Sequence, residues 1–146
     1  MGTIQQKWQD EQIPAEDGIF FSSDEFIPLD GAADTGYTVG RRQPLVTLVP
    51  SWAKVYETVR VSDESRDLRV HVGETPWEGS GFVAAIVAST GQLRWLFQLS
   101  ASEAFVKVET DGVLVRAVSG GYPMRYQWSI PIHESEKFTV ESSREA

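Results

Sequence analysis

The clearest signal in the chain is the alternation of apolar and polar residues between Phe82 and Ile132. Residues 82–88 (FVAAIVA) are continuously apolar, as in a strand buried on both faces. Thr90-Gly91 then turns the chain into Leu93, Trp95, Phe97 and Leu99, which alternate with Gln92, Arg94 and Gln98. The segments 104–110 (AFVKVET) and 113–119 (VLVRAVS) flank Asp111-Gly112, a hairpin signal of the type I′ kind, because that turn needs positive φ at both central residues. Gly120-Gly121 repeats the logic before a last strand with Tyr122, Met124, Tyr126, Trp128, Ile130 and Ile132 on one phase. Pro123 and Pro131 on the other phase remove ladder donors, so this strand is expected at a sheet edge or to end near Pro131. Five hairpin-linked strands in one meander are the result.

Upstream, Leu68, Val70 and Val72 alternate with Arg69 and His71 in the period of a half-buried strand. Two β-branched runs, Leu45 to Val49 and Val55 to Val61, lie between Pro44, Pro50 and an acidic turn over 62–67. Residues 19–29 hold one or two short strands, and the Gly, Asp and Ala cluster at 30–36 reads as a loop. Residues 1–18 have no sustained period and form a polar, acidic N-terminal arm, with Trp8 as an anchor on its own domain or on a partner. Residues 141–146 are a polar C-terminus expected to fray. The expectation is a single all-β domain over 19–140 with little helix, its Ser100–Glu103 loop capping one helical turn at most. It is a meander-rich antiparallel β-sandwich or a closed β-barrel of about 8–10 strands. The stretch from Thr90 to Trp128 resembles one β-propeller blade, but a single blade cannot close a propeller and no second copy follows.

Composition changes the picture in two places. The 146 residues contain no cysteine, which excludes disulfides, thiol nucleophiles and thiolate metal sites and fits a reducing cytoplasm. No apolar segment behind a basic start opens the chain, and no run approaches the roughly 18 apolar residues of a membrane span, so no membrane association is expected. Net charge is −8 and unevenly spread: residues 1–40 carry eight acids against one base, whereas 79–132 carry three acids and four bases. Such a balance repels phosphate backbones and steers in basic proteins, so the expected partner is a basic protein and not a nucleic acid.

Catalytic signatures are missing. GSGFVA (79–84) matches G-x-G-x-x-A, but it lacks a preceding strand and leads into a β-type run where a helix should start. His71 and His133 are far apart, and a metal site would need them to meet beside Glu74 or Glu134; no metal, cofactor or catalytic residue is therefore assigned. Trp95 and Trp128 fall on apolar phases and read as core. Trp77 sits in an acidic Thr-Pro-Trp-Glu-Gly loop, as an interface anchor or as a lid folded over the core. Arg94, Lys107, Arg116 and Arg125 recur on the polar phase of the meander, as one basic stripe or as a solvated outer face.

These features favour a non-catalytic protein-binding module, most simply a cytoplasmic inhibitor of the immunity type that occludes a basic protein such as a toxin. Its contacts would be Trp77 and Glu78 with Asp63, Glu64 and Asp67, and it would be a monomer or small homo-oligomer. The alternatives are a small-molecule carrier of the barrel type and a phage or secretion assembly subunit.

Overall fold

The computed structural model describes residues 2–48, 50–121 and 123–144. Its elements are a short helix α1 (Thr3–Gln9) and fourteen strands: β1 (Gln12–Pro14), β2 (Gly18–Phe20), β3 (Glu25–Ala32), β4 (Gly36–Val39), β5 (Gln43–Pro44), β6 (Trp52–Lys54), β7 (Tyr56–Asp63), β8 (Leu68–Glu74), β9 (Gly81–Val87), β10 (Leu93–Leu99), β11 (Phe105–Thr110), β12 (Leu114–Gly120), β13 (Met124–Pro131) and β14 (Thr139–Arg144). With 56% strand and 11% helix the protein is all-β, and every pairing is antiparallel. A large sheet has the order β4-β3-β2-β10-β9-β8-β7, with β5 also paired to β3; a second sheet has the order β11-β12-β13-β14; β1 and β6 form a two-stranded ribbon. Among the described residues no sheet closes on itself. No helix there is long and apolar enough to cross a membrane.

The continuous apolar run of β9 is buried on both faces. Val83 and Ala85, with Val70, Val72, Trp95, Phe97 and Leu99 of the same sheet, share a core with Phe105, Val115, Ala117, Trp128 and Ile130 of the second sheet. On the opposite face Phe82, Ala84, Ile86, Phe20, Phe26 and Leu96 pack against Ile4 of α1, Ile13 of β1 and Leu45. Trp128 is fully buried; its indole N–H donates to Ser119 Oγ at 3.1 Å, and the rings of Tyr37, Phe105 and Phe138 lie 5.3 to 5.6 Å from it.

Several expectations need correction. The meander is broken: β9 and β10 belong to the large sheet and β11 to β14 to the second, so the chain crosses between sheets at Ser100–Ala104. The cause is that β10 pairs with β9 on one edge and β2 on the other, leaving no ladder for a next strand. This also removes the likeness to a propeller blade. Within β10 the register shifts between Leu93 and Trp95, so Leu93 joins the second cluster while Trp95, Phe97 and Leu99 face the first. The Asp111-Gly112 hairpin forms, but Asp111 keeps negative φ and instead accepts the N–H groups of Val113 and Leu114 on its carboxylate, an Asx-type turn. Leu45–Thr47 is a 3-10 turn between prolines and not a strand, and Val49 lies outside the described residues, as does Tyr122. Far from fraying, Thr139–Arg144 pairs with β13 from Ser129 to Met124, which places β13 inside its sheet and ends it at Pro131; residues 145 and 146 are outside the described part.

The amino-terminal segment is an integral layer of the fold. The carboxylate of Asp24, in the β2–β3 turn, accepts the free N–H groups of Thr3 and Ile4 at 2.9 and 3.0 Å, capping α1 from a distant residue. Gln5 is buried and completes the attachment: its Oε1 accepts Leu93 N–H at 2.6 Å and its Nε2 donates to the carbonyl of Gly91 at 3.0 Å. Ile4, 1% exposed, contributes about 1.5 to 3 kcal/mol by removal from water.

Two outcomes test this packing. Trp128→Ala should cost about 3 to 5 kcal/mol in urea unfolding. Asp24→Ala should cost about 1 kcal/mol and expose residues 2–9 to limited proteolysis; cleavage no faster than in the wild type would show that α1 does not depend on this cap.

Candidate functional site

Strand direction divides the loops between two ends. At one end lie the segments before β2, between β3 and β4, between β8 and β9 and between β10 and β11, tied by Ala33 N–H to Ala101 O (3.1 Å), Glu103 N–H to Gly79 O (2.8 Å) and Ser100 N–H to Asp17 Oδ1 (2.8 Å). At the other lie the turns after β2, β7, β9, β11 and β13.

Trp77 occupies the first end, on the β8–β9 loop, and is 50% exposed. Its loop is nevertheless fixed. The hydroxyls of Thr75 and Ser80, both buried, hydrogen-bond to each other, Ser80 Oγ donates to Trp77 O at 2.6 Å, and Gly79 takes φ 79. Exposed carboxylates crowd this end: Glu74 and Glu78 flank the loop and Glu103 approaches Gly79. Glu16 and Asp34 belong to neighbouring loops of the same end.

The other residues expected to join Trp77 do not. Asp63, Glu64 and Asp67 lie in the β7–β8 turn, at the far end of β8, roughly 20 Å away at about 3.3 Å per residue. They are also occupied structurally: Asp63 binds Ser65 and Arg66, and Asp67, at φ 51, accepts from the backbone and hydroxyl of Ser89. The basic stripe divides too. Lys107, Arg116 and Arg125 lie on β11, β12 and β13 of the second sheet, with Arg116 opposite Glu109 and bonded to Asp111 at 3.2 Å; Arg94 is on the large sheet.

One cluster was not anticipated from the sequence. On the outer face of the large sheet a cleft of about 300 Å³ is lined by Trp8, Glu57, Arg60, Arg69, His71 and Phe82 among others. The bulge in β7 between Glu57 and Val59 builds it. Residues i and i+3 of a regular strand point to opposite faces, but the extra residue returns Arg60 to the face of Glu57, where they pair at 2.7 Å. Gly73 leaves room for the bulge, since a Cβ there would sit 2.1 Å from Tyr56 O. His71 bonds Glu57 through Nδ1 and accepts Arg69 Nε–H on Nε2 at 2.9 Å, with the Trp8 ring edge-on at 5.8 Å.

A histidine beside a carboxylate often gains a proton, yet burial outweighs the Glu57 contact and pushes His71 below its ordinary value. Glu57 is raised by desolvation but lowered more by its bonds to Arg60 and His71, so it stays ionised. The contact is therefore a neutral imidazole N–H donating to a carboxylate, which matches Nε2 acting as acceptor. Both ring nitrogens of His71 are thus engaged within the cluster, Nδ1 with Glu57 and Nε2 with Arg69. His133 lines a separate cleft with Arg94, and no group of metal ligands forms among the described residues.

No family model, curated protein or solved structure matches this chain.

The His71 site sets a pH dependence. Because its folded pKa is depressed, its contribution to stability is complete above the ordinary value of 6.5 and is lost as pH falls toward the folded value. Urea unfolding at pH 7.5, 6.5 and 5.5 should show wild-type stability falling with acid and a flatter dependence in His71→Gln; identical slopes would rule out His71 as the titrating group.

Proposed function

We propose that this protein is a non-catalytic binding module that captures a basic protein through the Trp77 loop and the carboxylates around it, acting as an inhibitor of the immunity type in a cytoplasmic setting. We read the scaffold as a β-sandwich, in which the two sheets hold the loops of each end in fixed positions. The observation that carries the reading is the half-exposed Trp77 on a loop whose backbone is pinned at both sides. A large aromatic ring kept in water is costly to a folded monomer, and a preorganised one loses little entropy on docking. Glu74, Glu78 and Glu103 supply the complementary charge that steers a basic surface and suppresses acidic ones. The contact set thus keeps Trp77 and Glu78 and exchanges the β7–β8 turn for Glu74 and Glu103. A barrel-type carrier has less support, because aromatic rings of Trp95, Phe97, Trp128 and Phe138 fill the space between the sheets at 5.2 to 5.6 Å from one another.

Capture from a lysate with wild type and Trp77→Ala side by side, followed by calorimetry on the recovered protein, tests this. Wild type should retain one basic protein in stoichiometric amount. Trp77→Ala should weaken that complex by about 2 kcal/mol or more with an unchanged melting temperature, and Glu78→Lys should slow association at low salt. A partner that binds the variant equally well would remove Trp77 from the interface.

A further inference from the structure

At the end of the molecule opposite Trp77, a cleft of about 410 Å³ opens between the turn after β9, the segment around Arg42 and the segment after β13. Its polar lining includes Ser22, Arg42, Gln92, Arg94, His133 and Glu136. A second cleft of about 320 Å³ adjoins it, sharing Arg94 and His133 and adding Arg66. On a chain of net charge −8, this concentrates three guanidinium groups and an imidazole around two connected hollows.

Arg94 is the residue that distinguishes the site. It is the extra residue of the β10 bulge, between Leu93 opposite Ile86 and Trp95 opposite Ala85, and so it has no cross-strand partner. Bulges of this kind redirect a side chain out of the regular pleat. Its Nε is buried without a hydrogen-bond partner, and no ion pair among the described residues involves it. The neighbouring cations are held in place by the fold. Arg42 lies over the Phe21 ring at 3.9 Å and pairs with Glu25 at 3.3 Å. Arg66 pairs with Asp63 at 2.9 Å and lies against Gly112, where a Cβ would come within 1.9 Å of its Nε. Trp95 Nε1–H donates to Ile132 O at 2.9 Å, fixing the backbone next to His133. Arg42 and Arg66 are thus already paired, whereas Arg94 has no ion-pair partner among the described residues.

We propose that this cleft binds the phosphate group of a small phosphorylated molecule, with Arg94 as the principal contact. A guanidinium offers a planar fork of donors that matches an oxyanion two at a time. Arg42, Gln92, Ser22 and His133 place further donor groups around the same space. A phosphate monoester presents three strongly accepting oxygens and about −1.5 to −2 charges, enough to engage several of these donors; a carboxylate has only two oxygens. Glu136 is the one carboxylate of the lining among the described residues and disfavours any anion, so its removal strengthens binding.

Titration calorimetry on the full chain with inorganic phosphate, phenyl phosphate and acetate, at one fixed ionic strength, tests the assignment. Both phosphates should bind saturably and about tenfold or more tightly than acetate, a difference of about 1.4 kcal/mol; tighter binding of phenyl phosphate identifies an organic monoester as the ligand class, and equal binding identifies the free anion. Arg94→Ala should weaken phosphate about tenfold, Arg94→Lys by less, and Trp77→Ala not at all. Should Arg94→Ala fail to fold, Glu136→Gln should tighten phosphate by about threefold. Acetate binding as well as phosphate, or an Arg94→Ala or Glu136→Gln protein with wild-type phosphate affinity, overturns the proposal.

Discussion

The apolar side chains on both faces of β9 and β10 govern the rest of the architecture. A sheet with one apolar face needs one cover, but a sheet whose centre is apolar above and below must be covered twice. The second sheet covers one face, with Trp128 at the centre of its contribution, and α1 with the β1–β6 ribbon covers the other. The amino-terminal segment is therefore required by the same constraint that gives the central strands their sequence. Its attachment through Asp24 and Gln5 supplies polar partners to the α1 N-terminus and the β9–β10 turn, including the buried Leu93 N–H, which would otherwise be left without a bond.

Once β10 is paired on both edges, the chain must leave the sheet, and the places where regular pairing gives way are where polar chemistry gathers. Among the described residues the register shifts in β7, β10 and β11. The first brings Glu57 and Arg60 to one face beside His71; the second turns Arg94 out of the ladder; the third leaves Val106 as an extra residue, 46% exposed. A period-2 strand separates adjacent residues onto opposite faces, so clusters drawn from neighbouring positions of one strand require such an interruption.

This explains which parts of the structure could be read from the sequence. The all-β class, the doubly buried β9, and the core positions of Trp95 and Trp128 follow from hydrophobic period, and they stand in the structure as expected. The single meander does not, because periodicity shows that strands exist but carries no record of which edge is free; the pairing of β2 with β10, some 75 residues apart, settles that. The basic stripe divides for the same reason, since Arg94 of β10 stays in the large sheet while Lys107, Arg116 and Arg125 lie in the second. Trp8 was legible as the anchor of the amino-terminal segment, and it packs on its own domain beside Phe82; the helix and strand within 3–14 were not, because Ile4 and Ile13 are too few to set a period. Trp77 was legible as a loop residue, but its grouping with Asp63, Glu64 and Asp67 assumed that both turns of β8 share an end, and successive turns of a strand cannot.

The separation of the two ends has an electrostatic consequence. About 20 Å of sheet lies between the Trp77 loop and the turns near Arg94, more than two Debye lengths at physiological ionic strength, which are about 8 Å each. Exposed carboxylates at one end therefore contribute little to the field inside a partly enclosed cleft at the other, where Arg94, Arg42 and His133 act at contact distances. An extended polyanion would have to cross the acidic surface and meets repulsion over its length, while a small phosphorylated molecule meets only the local charge. The net charge is thus compatible with both proposals, a basic protein at the Trp77 end and one phosphate in the opposite cleft. In this arrangement the two proposed sites are independent in charge, and the strands that join the two ends, β8, β9 and β10 of the large sheet among them, are paired on both edges.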